Sequence, residues 1–166
     1  DTGFSWLRPR NPTLLAVARF IASFFGTGLI LRRLRGADAG SGTVGSLFAL
    51  AASLALYRVD VLAQVAALLA TIAASLLAVR PFASTEGDPG WVVIDEAAGT
   101  FLATLGLTGI PAVAAWVVFR AADIFKRAFF GVAWAERLPG SVGVTADDLL
   151  AGLYGLAVGW AVHALI

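Results

Sequence analysis

Apolar residues run along this chain in long blocks, and polar residues gather at the junctions between them. After an irregular stretch broken by Pro9 and Pro12, residues 14–31 are apolar except for Arg19, with Thr13 placed to cap a helix. This block is long enough to cross a bilayer, yet Arg19, Gly26 and Gly28 fit an interfacial or partly re-entrant helix equally well. A basic cluster follows, Arg32, Arg33 and Arg35, and then the loop GADAGSG. Residues 44–57 predict a short helix of about 21 Å, and 61–79 one of about 28 Å, close to the thickness of the hydrocarbon core. Arg80 and Pro81 end it. Asp88 as cap and Pro89 at the first helical position predict a further helix to residue 107. A turn at 108–111 leads into a return helix over 112–126, with Arg120, Asp123 and Lys126 on one face. A loop over 128–143 precedes a last helix, capped by Thr145, in which Gly152, Gly155 and Gly159 are close-packing positions.

Composition turns these blocks into a class. Hydrophobic residues make up 59% of the chain and charged residues 14%, with a mean hydropathy of +0.85. A soluble domain carries about 25% charged residues. The expectation is an all-α, polytopic membrane helical bundle, residues 1–166 forming one membrane-embedded domain with 1–31 as its N-terminal helix. A net charge of +1 gives no bulk-charge signal for nucleic acid. The absence of Cys excludes disulfides and thiolate chemistry, and His163 alone cannot build a histidine metal site. The absence of Met predicts a trimmed or processed chain, and the first fourteen residues lack the apolar core of a cleavable signal peptide.

Basic residues set the expected orientation. With Arg32, Arg33 and Arg35 in the cytoplasm, alternating helices return Arg80, Lys126, Arg127 and Arg137 to that side and leave Arg58 and Asp60 outside. The same alternation brings Glu86, Asp88, Asp123, Asp147 and Asp148 to the cytoplasmic face, with Asp95 and Glu96 one to two turns below it.

The stretch DPGWVVIDEAAG (88–99) holds the pair Asp95–Glu96 inside an apolar run. An ionisable group at a bilayer centre costs about 2.5–3.5 kcal/mol on insertion scales, so a retained pair points to use. Some acids have simpler explanations: Asp88 as a cap, Asp148 in a capping box with Thr145, Asp123 paired with Arg120 or Lys126. Two carboxylates about 4 Å apart repel by about 4 kcal/mol at an effective dielectric of 20, so a cluster needs a cation or protons. With oxygen ligands only, Mg²⁺ is the first choice, then Mn²⁺ or Ca²⁺. Carboxylate-held Mg²⁺ meets phosphate and orients water. Arg120, Lys126 and Arg127 can neutralise phosphate oxygens. The segment SGTVGS (41–46) offers amides and the hydroxyls of Thr43 and Ser46 to an anion.

GTVGSL (42–47), DPGWVVIDEAAG (88–99), FRAADIFK (119–126) and LPGSVGVTADDLLAGLY (138–154), in that order, resemble the phosphatidylglycerophosphatase A family. The resemblance covers 25–166. It implies a Mg²⁺-dependent phosphatase of the bacterial inner membrane, its site facing the cytoplasm, that converts phosphatidylglycerophosphate to phosphatidylglycerol. Carried over by position, the metal acids are Asp88, Asp95, Glu96, Asp123, Asp147 and Asp148, with Arg120 and Lys126 as basic partners. Where the family has Pro, Pro, a second Gly and Gln, this chain has Ser41, Arg127, Ser141 and Thr100. Asp148 or Asp123 is expected as general base, Arg120 or Lys126 on the scissile phosphate, and Arg127 or Arg137 on the lipid diester. The alternatives are a CDP-alcohol phosphotransferase-like enzyme, whose D-G-x₂-A-R run is missing here, and a non-enzymatic membrane module.

Overall fold

The computed structural model describes residues 11–83 and 89–166, and all regular structure among them is helical. Helix α1, Pro12–Ala22, is capped by Asn11, whose side chain accepts from the Thr13 N–H at 2.9 Å. The cap is thus Asn11 and not Thr13, because Pro12, lacking an N–H, occupies the first helical position. The apolar block does not continue as one helix. Phe24, Phe25 and Gly26 take φ of 45°, 59° and 91°, and the Gly26 N–H donates to the Ser23 hydroxyl. The chain resumes through a 3-10 turn, Thr27–Leu29, into α2, Ile30–Arg35, bent 89° from α1. The block 14–31 is therefore not one continuous helix, and its bend fits a broken span as well as a re-entrant segment.

Helices α3 (Ser41–Tyr57) and α4 (Val61–Ala78) form a hairpin; Asp60 caps α4 by accepting from the Leu62 N–H at 3.0 Å. A single turn, α5 (Arg80–Ala83), follows. Helix α6 spans Ile94–Ala103, not 89–107. Gly90 and the β-branched pair Val92–Val93 disfavour helix, and the Val93 N–H is bonded instead to the Ala22 carbonyl at 3.0 Å. Asp88 lies outside the described residues. Helix α7 (Gly109–Ile124) is followed by a 3-10 turn, Lys126–Ala128, and by α8 (Val132–Ala135) inside the expected loop. Helix α9 (Ser141–Leu165) starts one turn earlier than expected, after Gly140 at φ 61°. Thr145 is therefore inside the helix, its hydroxyl donating to the Ser141 carbonyl, and the capping box with Asp148 does not form.

Helix α9 is the axis on which α6 and α7 pack. Its glycines allow backbone contact: Gly152 lies on the Gly99 carbonyl of α6, Gly155 on the Ala115 carbonyl of α7, and Gly159 on Leu107 and Ala115. This is the small-residue packing that lets helices associate where the surroundings are as apolar as the side chains. Helix α4 is held by polar contacts at two depths. Ser75 and Thr145 hydroxyls meet at 2.8 Å; towards the other end, Gln64 Nε2 donates to the Ser53 carbonyl at 3.1 Å and Ser53 Oγ lies 2.7 Å from Thr104 Oγ1.

Val61–Ala78 and Ser141–Leu165 are each long and apolar enough to cross a membrane, and the bent pair α1–α2 adds a third if it counts as one span. Leu62, Leu69 and Leu77 of α4 and Leu153 of α9 are exposed on these outer faces.

Candidate active site

The starts of α3, α6 and α9 and the ends of α4 and α7 meet at one end of the bundle. Ser141 Oγ donates to the Leu76 carbonyl, Lys126 reaches Asp147, and Gly42 lies against Glu96 and Arg120. Asp95 and Glu96 occupy the first turn of α6, not a helix interior. The unpaired N–H groups and positive dipole end there favour anions, so the pair is less costly than its apolar flanks suggest. Asp148 comes from the second turn of α9, brought alongside by the Gly99–Gly152 contact.

Asp95, Glu96 and Asp148 each offer an oxygen within 4.8 Å of the other two. Asp95 is 2% exposed and Asp148 3%. Glu96 Oε2 and Asp148 Oδ1 are buried without a hydrogen-bond partner. Three carboxylates so placed demand a compensating charge or protons. The donor set is entirely oxygen and comes from two helices, with one oxygen of each residue close to the other two, so these residues fit a hard divalent cation.

A basic frame surrounds the triad. Arg120 Nη1 lies 2.6 Å from Asp123 Oδ2, close enough for an ion pair but off hydrogen-bond geometry, and Arg120 Nε is buried with no partner. A side chain at Gly42 would collide with Glu96 Oε1 and crowd Arg120 Nη2, so the first turn of α3 sits directly on the site. Lys126 donates to Asp147 Oδ2 at 2.6 Å and to Glu136 Oε1 at 2.9 Å. Burial pulls the Lys126 ammonium down; its hydrogen bonds to Asp147 and Glu136 outweigh this and raise it well above the ordinary lysine range.

The structure thus joins three of the six expected metal acids. Asp123 and Asp147 stand beside them, held by Arg120 and Lys126, and Asp88 falls outside the described residues. Arg127 and Arg137 line one cavity of about 680 Å³ together with Lys126 and Glu136. A second, of about 300 Å³, is lined by Lys126, Glu136 and Asp147. The Ser46 hydroxyl donates to the Thr43 carbonyl, so it is turned into its own helix. Glu136 was missed in the sequence because it lies in a loop with no motif. Gly42 was visible only as part of SGTVGS; nothing there marked its contact with Glu96.

Fold and site together define an all-helical protein of membrane type with a buried three-carboxylate centre beside an arginine. Its sequence matches the phosphatidylglycerophosphatase A family over residues 20–163, and the chain belongs to that family. It is accordingly an enzyme, by family a phosphoric monoester hydrolase of lipid metabolism. A protein of Bacteroides thetaiotaomicron named "Putative phosphatidylinositol-3-phosphatase" is 33% identical over 159 residues, covering 87% of this chain and 91% of that protein. No solved structure matches.

Proposed function

We propose that this protein is a single-domain, Mg²⁺-dependent phosphatase that hydrolyses phosphatidylglycerophosphate to phosphatidylglycerol and phosphate at the cytoplasmic face of a bacterial inner membrane. The observation that carries it is the triad of Asp95, Glu96 and Asp148, in which Glu96 Oε2 and Asp148 Oδ1 are buried with no hydrogen-bond partner beside the Arg120 guanidinium, whose Nε is likewise unpartnered. Asp95, Glu96 and Asp148 hold the ion, with Asp88 and Asp147 as further acids close in sequence to these ligands. When bound, Mg²⁺ neutralises phosphate oxygens and lowers the pKa of water.

The chain's own groups do the rest. Arg120 turns its unpartnered Nε donor on the scissile phosphate, where charge builds in the transition state, while its Nη1 stays paired with Asp123. Asp123, outside the triad and alongside Arg120, takes the proton from the attacking water. The new P–O bond forms as the phosphate–glycerol ester bond breaks, and the leaving alkoxide is protonated to the free hydroxyl of phosphatidylglycerol. Arg127 and Arg137 line the cavity that takes the diester, with Lys126 as its wall and anchor. Thr43, at the start of α3, faces the anion with the helix amides. Among the described residues, Arg32, Arg33, Arg35, Arg80, Arg120, Lys126, Arg127 and Arg137 lie on the segments at the site's end of the bundle and Arg58 stands at the other, which supports a cytoplasmic site.

The Bacteroides relative's name supports a second substrate for the same chemistry, a lipid bearing a phosphomonoester on inositol. Purified protein is assayed for inorganic phosphate release from phosphatidylglycerophosphate and from phosphatidylinositol-3-phosphate, each with Mg²⁺ or EDTA. Faster Mg²⁺-dependent turnover of the first supports the primary reading, faster turnover of the second supports the alternative, and release from neither overturns both.

A further inference from the structure

The elbow between α1 and α2 encloses a cavity of about 450 Å³ lined by Arg19, Leu29, Arg32 and Arg33. It shares no lining residue with the carboxylate triad or with the Lys126–Arg137 cavity. Three of its four lining residues are arginines. Among the described residues one carboxylate answers them, Asp38, at 3.6 Å from Arg32. Among the described residues, neither Arg19 nor Arg33 has an ion pair. Like charges lining one cavity repel, and an anion held among them would relieve that repulsion.

Arg19 is positioned from below. Its guanidinium lies over the Trp91 ring, 5.1 Å from the centroid, and Trp91 packs edge-on to Phe82 at 4.9 Å. A stacked arginine keeps its outer N–H edge for a planar or tetrahedral oxyanion. The surroundings are apolar and exposed: Phe20 and Phe25 meet edge to face at 5.6 Å on the elbow, 54% and 63% exposed, with Leu14 and Val17 along the first helix. A free phosphate has no use for that rim, but a lipid brings acyl chains to meet it. The volume falls in the range of about 300–1,000 Å³ typical of small-ligand sites.

We propose that this elbow is a second lipid site, which takes the phosphodiester of a resident anionic phospholipid between Arg19, Arg32 and Arg33 and its acyl chains along Phe20 and Phe25. The Val93–Ala22 hydrogen bond and the Arg19–Trp91 stack tie the elbow to the residues just before α6. The bound lipid therefore braces the entrance to the carboxylate helix without touching the reacting atoms. This does not depend on which lipid the enzyme hydrolyses.

The test is native mass spectrometry of the full chain in neutral detergent, titrated with phosphatidylglycerol or phosphatidylcholine. One phosphatidylglycerol is expected to bind selectively. Arg19→Gln and Arg33→Gln should each weaken it about fivefold, the weight of one basic residue at a lipid surface. Arg35→Gln, on the same helix but outside the cavity, should change it less than about twofold, and Asp95→Asn should not change it. An equal loss in Arg35→Gln means a diffuse basic surface and overturns the site. A loss in Asp95→Asn, or an equal loss in Arg137→Gln, places the lipid at the active site and overturns it too. Equal binding of phosphatidylcholine, or displacement by millimolar glycerol phosphate, overturns the lipid as its ligand. Arg33 is exposed, so Arg33→Gln decides the matter if a thermal melt shows Arg19→Gln to be misfolded.

Discussion

The Lys126 ammonium is bonded to Asp147 Oδ2 at 2.6 Å, and this contact joins the turn that follows α7 to the second turn of α9. Sequence spacing offers Lys126 as a phosphate ligand; in the structure its charge is already shared between Asp147 and Glu136. Lys126→Met should strand the Asp147 carboxylate, 5% exposed. The cost is on the order of 2 kcal/mol, below the about 3–5 of a fully buried pair because a quarter of the lysine side chain meets solvent. Adding Asp147→Asn should recover most of the lost melting temperature in detergent. If the double variant melts no higher than Lys126→Met alone, the pair is not what holds the two helices.

Metal removal should act on stability as well as rate. EDTA should abolish phosphate release and Mg²⁺ restore it, because Glu96 Oε2 and Asp148 Oδ1 have no other partner. Mg²⁺ should also raise the melting temperature of the wild-type chain, since ligand bound only to the folded state stabilises it. That rise should disappear in Asp148→Asn. A rise that persists in Asp148→Asn would place the ion elsewhere.

The acids divide by role. Asp95→Asn should leave a folded protein without measurable turnover. Asp123→Asn should lower kcat by about 10²–10⁴-fold while Mg²⁺ still shifts the melt, as fits a proton acceptor that is not a ligand. Loss of the Mg²⁺ shift in Asp123→Asn would make it a ligand instead.

Arg120→Ala should lower kcat and kcat/KM together, whereas Arg137→Ala, at the open cavity, should raise KM with kcat nearly unchanged. Steady-state kinetics on mixed micelles reads both. If both substitutions move KM alone, the arginines form a general anionic surface and the metal carries catalysis.

Gly152→Leu should inactivate the enzyme without removing any polar group. A side chain there would run into the Gly99 carbonyl, push α9 off α6 and draw Asp148 from Asp95 and Glu96. Leu153→Ala, on the exposed face next to it, should leave activity intact. Full activity in Gly152→Leu would show that the triad does not depend on this crossing.

Long periodic features were legible in the sequence and local breaks were not. Apolar length alone located α3, α4, α7 and α9, and the Asp95–Glu96 pair stood out because charge in an apolar run is costly. The start of α6 was misplaced because Asp88 and Pro89 have the chemistry of a helix start. The deciding bond, Val93 to Ala22, joins residues far apart in the chain. Gly26 and Gly28 hinted at the break after α1, but nothing local announced that Phe24 and Phe25 would adopt positive φ. Of the site, the acid identities were readable; which three converge depends on the α6–α9 crossing, a tertiary fact. Glu136 binds Lys126 across a loop whose sequence carries no periodic signal.

The polar contacts of α4 have a consequence for assembly. Lipid and protein faces are equally apolar, so greasiness cannot tell this helix how deep to sit or which way to turn. Ser75 and Gln64, eleven residues apart, mate with Thr145 at one level and with Ser53 and the Gly106 N–H near the other. A slide of one residue rotates the helix by about 100° and breaks both at once. Helix α4 thus works as a two-toothed key, and the bundle accepts it in one register only.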